Sequence, residues 1–153
     1  MAAFFLDSSG LVKRFVSEKG SGFVASLVKP SHRHTIYLVR LTPVEVISAI
    51  TRRKNIKSLT VIKANKAIAR FERTLQNRYA FVEVNETLIS TAIDLAKKYG
   101  LRGYDAVQLS AALEVNNKRF QIGAPAVTFI SADNNLNNAA SSEGLQIDNP
   151  NNY

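Results

Sequence analysis

Residues 4–10 read F-F-L-D-S-S-G: Phe4, Phe5, Leu6, Asp7, Ser8, Ser9 and Gly10. Three apolar residues run straight into an aspartate, two hydroxylated residues and a glycine. The apolar run marks a short buried strand with the acid at its carboxyl end. A lone carboxylate there is costly to desolvate. Asp7 therefore either caps the turn that follows it or stands ready for a cation.

Outward from this strand (3–6), short apolar strands alternate with amphipathic helices. Helices are expected over 10–17 and 21–29, where Phe23, Val24, Leu27 and Val28 recur at helical spacing. T-I-Y-L-V-R at 35–40 is β-branched and aromatic, a second strand. A helix at 43 to about 55 carries clear start signals, with Thr42 as N-cap, Pro43 in the first position and Glu45 three residues after the cap. A long basic helix at 59–77, a strand at 81–84, and helices near 86–99 and 104–116 follow. A-V-T-F-I-S at 126–131 reads as a buried strand, followed by a short helix from Asp133 and a last strand, L-Q-I. The tail D-N-P-N-N-Y at 148–153 is expected to fray.

This alternation predicts one α/β domain over 1–147, an open and mostly parallel sheet with helices on both faces. In such sheets ligands bind beyond the carboxyl ends of the strands, near a switch in strand order. Asp7 follows the first strand and Asp133 the fourth, so both stand where that rule points.

The chain has 153 residues, enough to bury about two-thirds of its unfolded surface. It has no cysteine, which excludes disulfides and thiol chemistry and fits a reducing, cytoplasmic setting. No apolar run approaches the roughly 20 residues that span a bilayer, and no signal peptide is expected. The net charge is +8, and residues 52–78 hold nine bases against one acid, Glu72. Such a localised basic face is either a footprint for phosphate backbones or a solvated helical surface.

Four acids stand beside apolar runs: Asp7, Glu45 in T-P-V-E, Asp105 in G-Y-D-A and Asp133 in S-A-D-N. Each has a structural explanation. Asp7 and Asp133 suit N-caps, Glu45 completes a capping box, and Asp105 favours the first turn of a helix through its dipole. Brought together, carboxylates about 4 Å apart would repel by roughly 4 kcal/mol per pair at an effective dielectric near 20. A divalent cation relieves that, and oxygen ligands select Mg²⁺ or Mn²⁺. His32 and His34, in P-S-H-R-H, read as a solvated loop because no carboxylate adjoins them. Tyr104 reads as a core residue, with base stacking as the alternative.

Taken in order, F-F-L-D-S-S-G-L-V-K-R-F, L-T-P-V-E-V-I-S-A-I, G-L-R-G-Y-D-A-V-Q-L-S-A-A and F-I-S-A-D-N-N-L-N-N-A-A-S-S-E-G-L resemble the PIN-domain family, in particular the VapC-like toxin ribonucleases of toxin–antitoxin pairs. The resemblance extends over essentially the whole chain. It implies a sheet of about five strands and an acidic site for Mg²⁺ or Mn²⁺ built from Asp7, Glu45, Asp105 and Asp133. It implies that Ser8 and Ser131 support the acids, and that RNA is the substrate. Many relatives carry another acid where this chain has Asn135, which brings no charge. A homodimer and a cognate antitoxin are implied as partners. Arg52, Arg53 and Lys54 are the expected contacts to the RNA backbone. A phosphotransfer enzyme, a non-catalytic RNA-binding module and a protein-interaction scaffold are the rival classes.

Overall fold

The computed structural model describes residues 1–153. Five strands form one sheet: β1 (Ala3–Leu6), β2 (Thr35–Val39), β3 (Ala80–Val82), β4 (Thr128–Ile130) and β5 (Gln146–Asp148). Their order is β3-β2-β1-β4-β5, and every neighbouring pair is parallel. The chain lays down β1, β2 and β3 in one direction, then returns to place β4 and β5 on the other side of β1. The carboxyl ends of β1 and β4 flank that switch.

Seven α-helices cover the sheet: α1 (Ser8–Leu11), α2 (Ser21–Leu27), α3 (Thr42–Asn55), α4 (Val61–Leu75), α5 (Glu86–Tyr99), α6 (Gly103–Gln121) and α7 (Asn134–Ser142). Side chains alternate across the strands, so adjacent residues enter different cores. Phe5, Val39 and Phe129 pack with Leu88, Leu109 and Leu136 of α5, α6 and α7. Leu6, Leu38 and Ile130 pack with Leu11, Val46, Ile50 and Phe71 beneath α1, α3 and α4. Both faces of the central strands are therefore dry, which explains their unbroken apolar runs.

Three local expectations are corrected. The predicted helix at 10–17 is a single α-turn, α1, continued by a 3₁₀ turn over Val12–Arg14. Thr42 is the first residue inside α3 rather than its cap; Leu41 is the cap residue and makes no side-chain cap bond. The tail does not fray: Asp148 belongs to β5, Pro150 is buried, and the Tyr153 ring stacks on Phe23 at 3.9 Å and 2°. Gly20, at φ +84°, allows this docking, because a Cβ there would meet the Pro150 carbonyl at 2.3 Å.

Candidate active site

The site begins with the strand end that opens the chain. Asp7 caps α1 by accepting from the Gly10 N–H at 2.7 Å. A Cβ on Gly10 would meet the Ile130 carbonyl at 2.8 Å, so the turn closes against β4 only with glycine. Ser9 Oγ lies 2.8 and 2.9 Å from the two Asp7 oxygens, and Ser131 Oγ donates to Oδ2 at 2.7 Å. Asp7 is 2% exposed. Burial pushes its carboxyl up to about 6, against the opposing pull of these donors.

Glu45 does not close a capping box. Its Oε2 accepts from Ser8 Oγ at 3.1 Å, and its Oε1 accepts from Gln108 Nε2 at 2.7 Å. Gln108, itself buried in α6, also donates to Thr42 Oγ1 at 3.1 Å. The glutamate is thus turned away from its own helix end and held between α1 and α6. Burial raises its pKa, against the Gln108 and Ser8 donors, and the Asp105 charge adds to the rise.

Asp105 stands in the first turn of α6. Its pKa is raised by burial and then by Asp133, while Arg102 pulls it down. Asp133 caps α7, accepting from the Leu136 N–H at 3.0 Å. Glu45, Asp105 and Asp133 line one cleft of about 430 Å³ together with Ser8, Ser9 and Arg52. Asp7 does not line this cleft itself; Ser9, which does, bonds both of its oxygens.

The held acids share one property. Asp7, Glu45 and Asp133 are held only by hydroxyl, carboxamide or backbone N–H donors, Asp105 accepts from no protein donor, and none of the four is in an ion pair. Neutral donors orient a carboxylate without cancelling its charge. No three acids or histidines are drawn into a ready-made metal cage. The donor set is nonetheless all hard oxygen, and burial and mutual repulsion lift Asp105 in a way that a cation would relieve. The residues fit a small divalent ion in chemistry.

The other expected residues divide. Ser8 supports Glu45, and Ser131 supports Asp7. Arg52 and Arg53 line the cleft, and Arg53 is also paired with Glu18 at 3.2 Å. Lys54 is not among the cleft residues, because it lies further round α3. Asn135 faces a separate groove that shares Asp105 and Asp133 with the cleft. Tyr104 is not a core residue: it is 59% exposed and lines the cleft. Sequence reading missed Arg102, Gln108 and the role of Ser9. Arg102 had a usable signal, a base three residues before an acid at a predicted helix start. Gln108 had one too, an amide one turn after Asp105 on an otherwise apolar face.

The pattern of the PIN domain family matches residues 4–141. The chain belongs to the PIN-domain family. Members are in general nucleases, and PIN nucleases generally use divalent metals. No curated protein matches the sequence significantly. Among solved structures the fold is similar to FitAcB from Neisseria gonorrhoeae, with a TM-score of 0.63 and 17% identity over 96% of this chain and 97% of that one. PAE2754 from Pyrobaculum aerophilum is similar at 0.62 and 14%, over 95% and 83%. VapBC2 from Rickettsia felis, solved with a DNA fragment from their promoter, is similar at 0.62 and 13%, over 96% and 98%. At these identities the likeness concerns the fold, so this PIN domain's chemistry rests on its own residues.

Proposed function

We propose that this PIN domain is a Mg²⁺- or Mn²⁺-dependent endoribonuclease and the cytoplasmic toxin of a toxin–antitoxin pair. One observation carries the reading. In a chain with eight surplus positive charges, three acids line one cleft at the switch point of a parallel sheet, a fourth, Asp7, is tied to that cleft through Ser9, and none of the four has a basic ion-pair partner. The likeness to the VapBC2 and FitAcB folds supports the pairing with an antitoxin. The exposed face of α3 around Pro43, Val44 and Ile47 suits contact with a second copy.

In this reading Asp7, Asp105 and Asp133 hold the cation. A bound divalent ion supplies a more acidic water and offsets charge growing on the phosphate. Arg52, Arg53 and Arg102 draw the RNA backbone to the cleft. Glu45, fixed by Ser8 and Gln108, accepts the proton as water attacks phosphorus and the P–O bond to the departing ribose oxygen breaks. The departing oxygen takes its proton from solvent.

The test is direct. Purified protein is expected to cut single-stranded RNA in Mg²⁺ or Mn²⁺ and to stop when EDTA is added. Either metal is expected to raise the melting temperature of the wild type but not of Asp105→Asn. A protein that cuts no RNA in either metal, and whose melting point ignores both, is not this enzyme.

A further inference from the structure

On the far side of Asp105 and Asp133 the cleft continues into a groove of about 520 Å³, within the usual range for small-ligand sites. Arg102, Asp105 and Asp133 belong to both cavities, so the two meet at the acids. Their linings differ in kind. The first cavity holds Arg52 and Arg53 as well as Arg102. The groove has no cation beyond Arg102, and its α7 wall is built from Asn135, Asn138, Ala139 and Ser142.

Those positions are spaced i, i+3, i+4 and i+7, one face of a helix. Other asparagines nearby are engaged: Asn134 accepts from Asn149, and Asn137 donates to the Ser131 carbonyl. Asn135, Asn138 and Ser142 are instead exposed, with side chains facing the groove. Carboxamides and a hydroxyl both donate and accept, as the edge of a nucleobase requires. Tyr99 and Leu101, both only partly buried, supply apolar surface for the face of a ring. A phosphate is the poorer occupant, since it would meet two carboxylates at the mouth with one arginine to offset them.

We propose that this groove is a nucleobase subsite: an unpaired base beside the phosphate being cut turns into it and is read by Asn138 and Ser142, while the phosphate stays among Arg52, Arg53 and Arg102. Sequence-selective RNA binding typically works this way, on splayed single-stranded bases. The proposal rests on the ribonuclease reading, and it gives that reading a source of sequence preference separate from its source of affinity.

Equilibrium binding in EDTA, with short homopolymers of each of the four ribonucleotides, tests the groove without requiring cleavage. The wild type is expected to prefer one homopolymer by about tenfold, the discrimination of roughly one good hydrogen bond. Asn138→Ala and Ser142→Ala, both at exposed positions, are expected to erase that preference and leave the salt dependence unchanged. Arg52→Ala is expected to weaken all four about equally and to flatten the salt dependence by roughly 0.7 in log–log slope, one single-stranded phosphate contact. Equal binding of the four by the wild type overturns the subsite, as does a preference that survives both α7 substitutions. A wild type that discriminates in EDTA but cuts nothing with metal overturns the ribonuclease reading instead.

Discussion

Two sets of acids in this chain contrast, those held in salt bridges and those at the cleft, and the contrast explains more than either alone. Glu18, Glu83, Glu114 and Glu143 each sit within salt-bridge distance of a lysine or arginine. Asp7, Glu45, Asp105 and Asp133 do not, although basic residues outnumber acids 20 to 12; Glu72, Glu86, Asp94 and Asp148 also lack such a partner, but they lie away from the cleft. Three of the salt-bridged acids balance charge at the surface, where ion pairs contribute little, while Glu18 meets the buried Lys13. Asp7, Glu45 and Asp133 are oriented by Ser8, Ser9, Ser131, Gln108 and the N–H groups of Gly10 and Leu136, while the Asp105 carboxylate faces the cleft without a protein donor. Those donors fix direction and leave the negative field intact. Stability alone would favour pairing or removing such charges, so their retention points to a ligand that supplies the positive charge.

The largest break in this contrast comes from Asp105→Asn. It keeps the shape of the side chain and removes one of the unpaired charges. RNA cleavage is expected to fall by about a thousandfold or more, within the range that metal-site and acid–base groups supply. Single-turnover rates with Mg²⁺ measure it, and a fall of less than tenfold would remove Asp105 from the reacting groups. RNA binding is expected to persist, because the charge lost is negative.

Asp7→Asn separates activity from stability. Burial lifts the Asp7 carboxyl from 3.8 to about 6. A carboxyl whose folded pKa is raised favours the fold while protonated; that contribution is complete below about pH 4 and is lost as pH rises through 6. At pH 7 the ionised, buried group therefore costs the fold up to about 3 kcal/mol. Asp7→Asn is expected to melt higher than wild type at pH 7, with the advantage shrinking toward pH 4, while cleavage is lost. Thermal melts across that range check it, and a pH-independent difference would show that hydrogen bonding, not charge, governs the position.

Much of this was legible in the sequence because the governing signals were local. The runs 3–6, 35–40 and 126–131 announced doubly buried strands, and each acid sat next to an apolar run. What escaped depended on partners far along the chain. T-P-V-E is a sound capping box in isolation, yet Glu45 is drawn off by Gln108, 63 residues away, and by Ser8. The tail is polar and ends the chain, yet Phe23 offers Tyr153 a ring to stack on. Tyr104 looked apolar enough for the core, but helix α6 turns it toward the cleft. Tertiary contacts outweighed local propensity at these points, two of which border the candidate site.

Gln108→Leu probes the neutral donors themselves. It is close in volume but leaves Glu45 with one donor and Thr42 Oγ1 buried without the amide. The expected cost is about 1–3 kcal/mol of stability, typical of an unsatisfied buried polar group. Cleavage is expected to fall about 10- to 100-fold through kcat, as when a group that orients a site's ligands is lost. Unchanged kcat in a folded Gln108→Leu protein would show that Glu45 needs no fixing, and would weaken its role as proton acceptor.

The smallest effect is expected from the paired population, and it tests the contrast from its other side. Glu114 lies on the same helix as Asp105 but is matched with Lys118 one turn on. Glu114→Gln removes the same unit of charge from the same helix. Because its negative field is already met by a neighbouring ammonium and screened by solvent, stability should change by less than about 0.5 kcal/mol. Cleavage rate, divalent-ion dependence and RNA affinity should match wild type. If Glu114→Gln instead mimicked even a tenth of the Asp105→Asn defect, the long-range charge of α6 would matter more than the local absence of a basic partner. The reading of the four unpaired acids as one cation-binding group would then lose its footing.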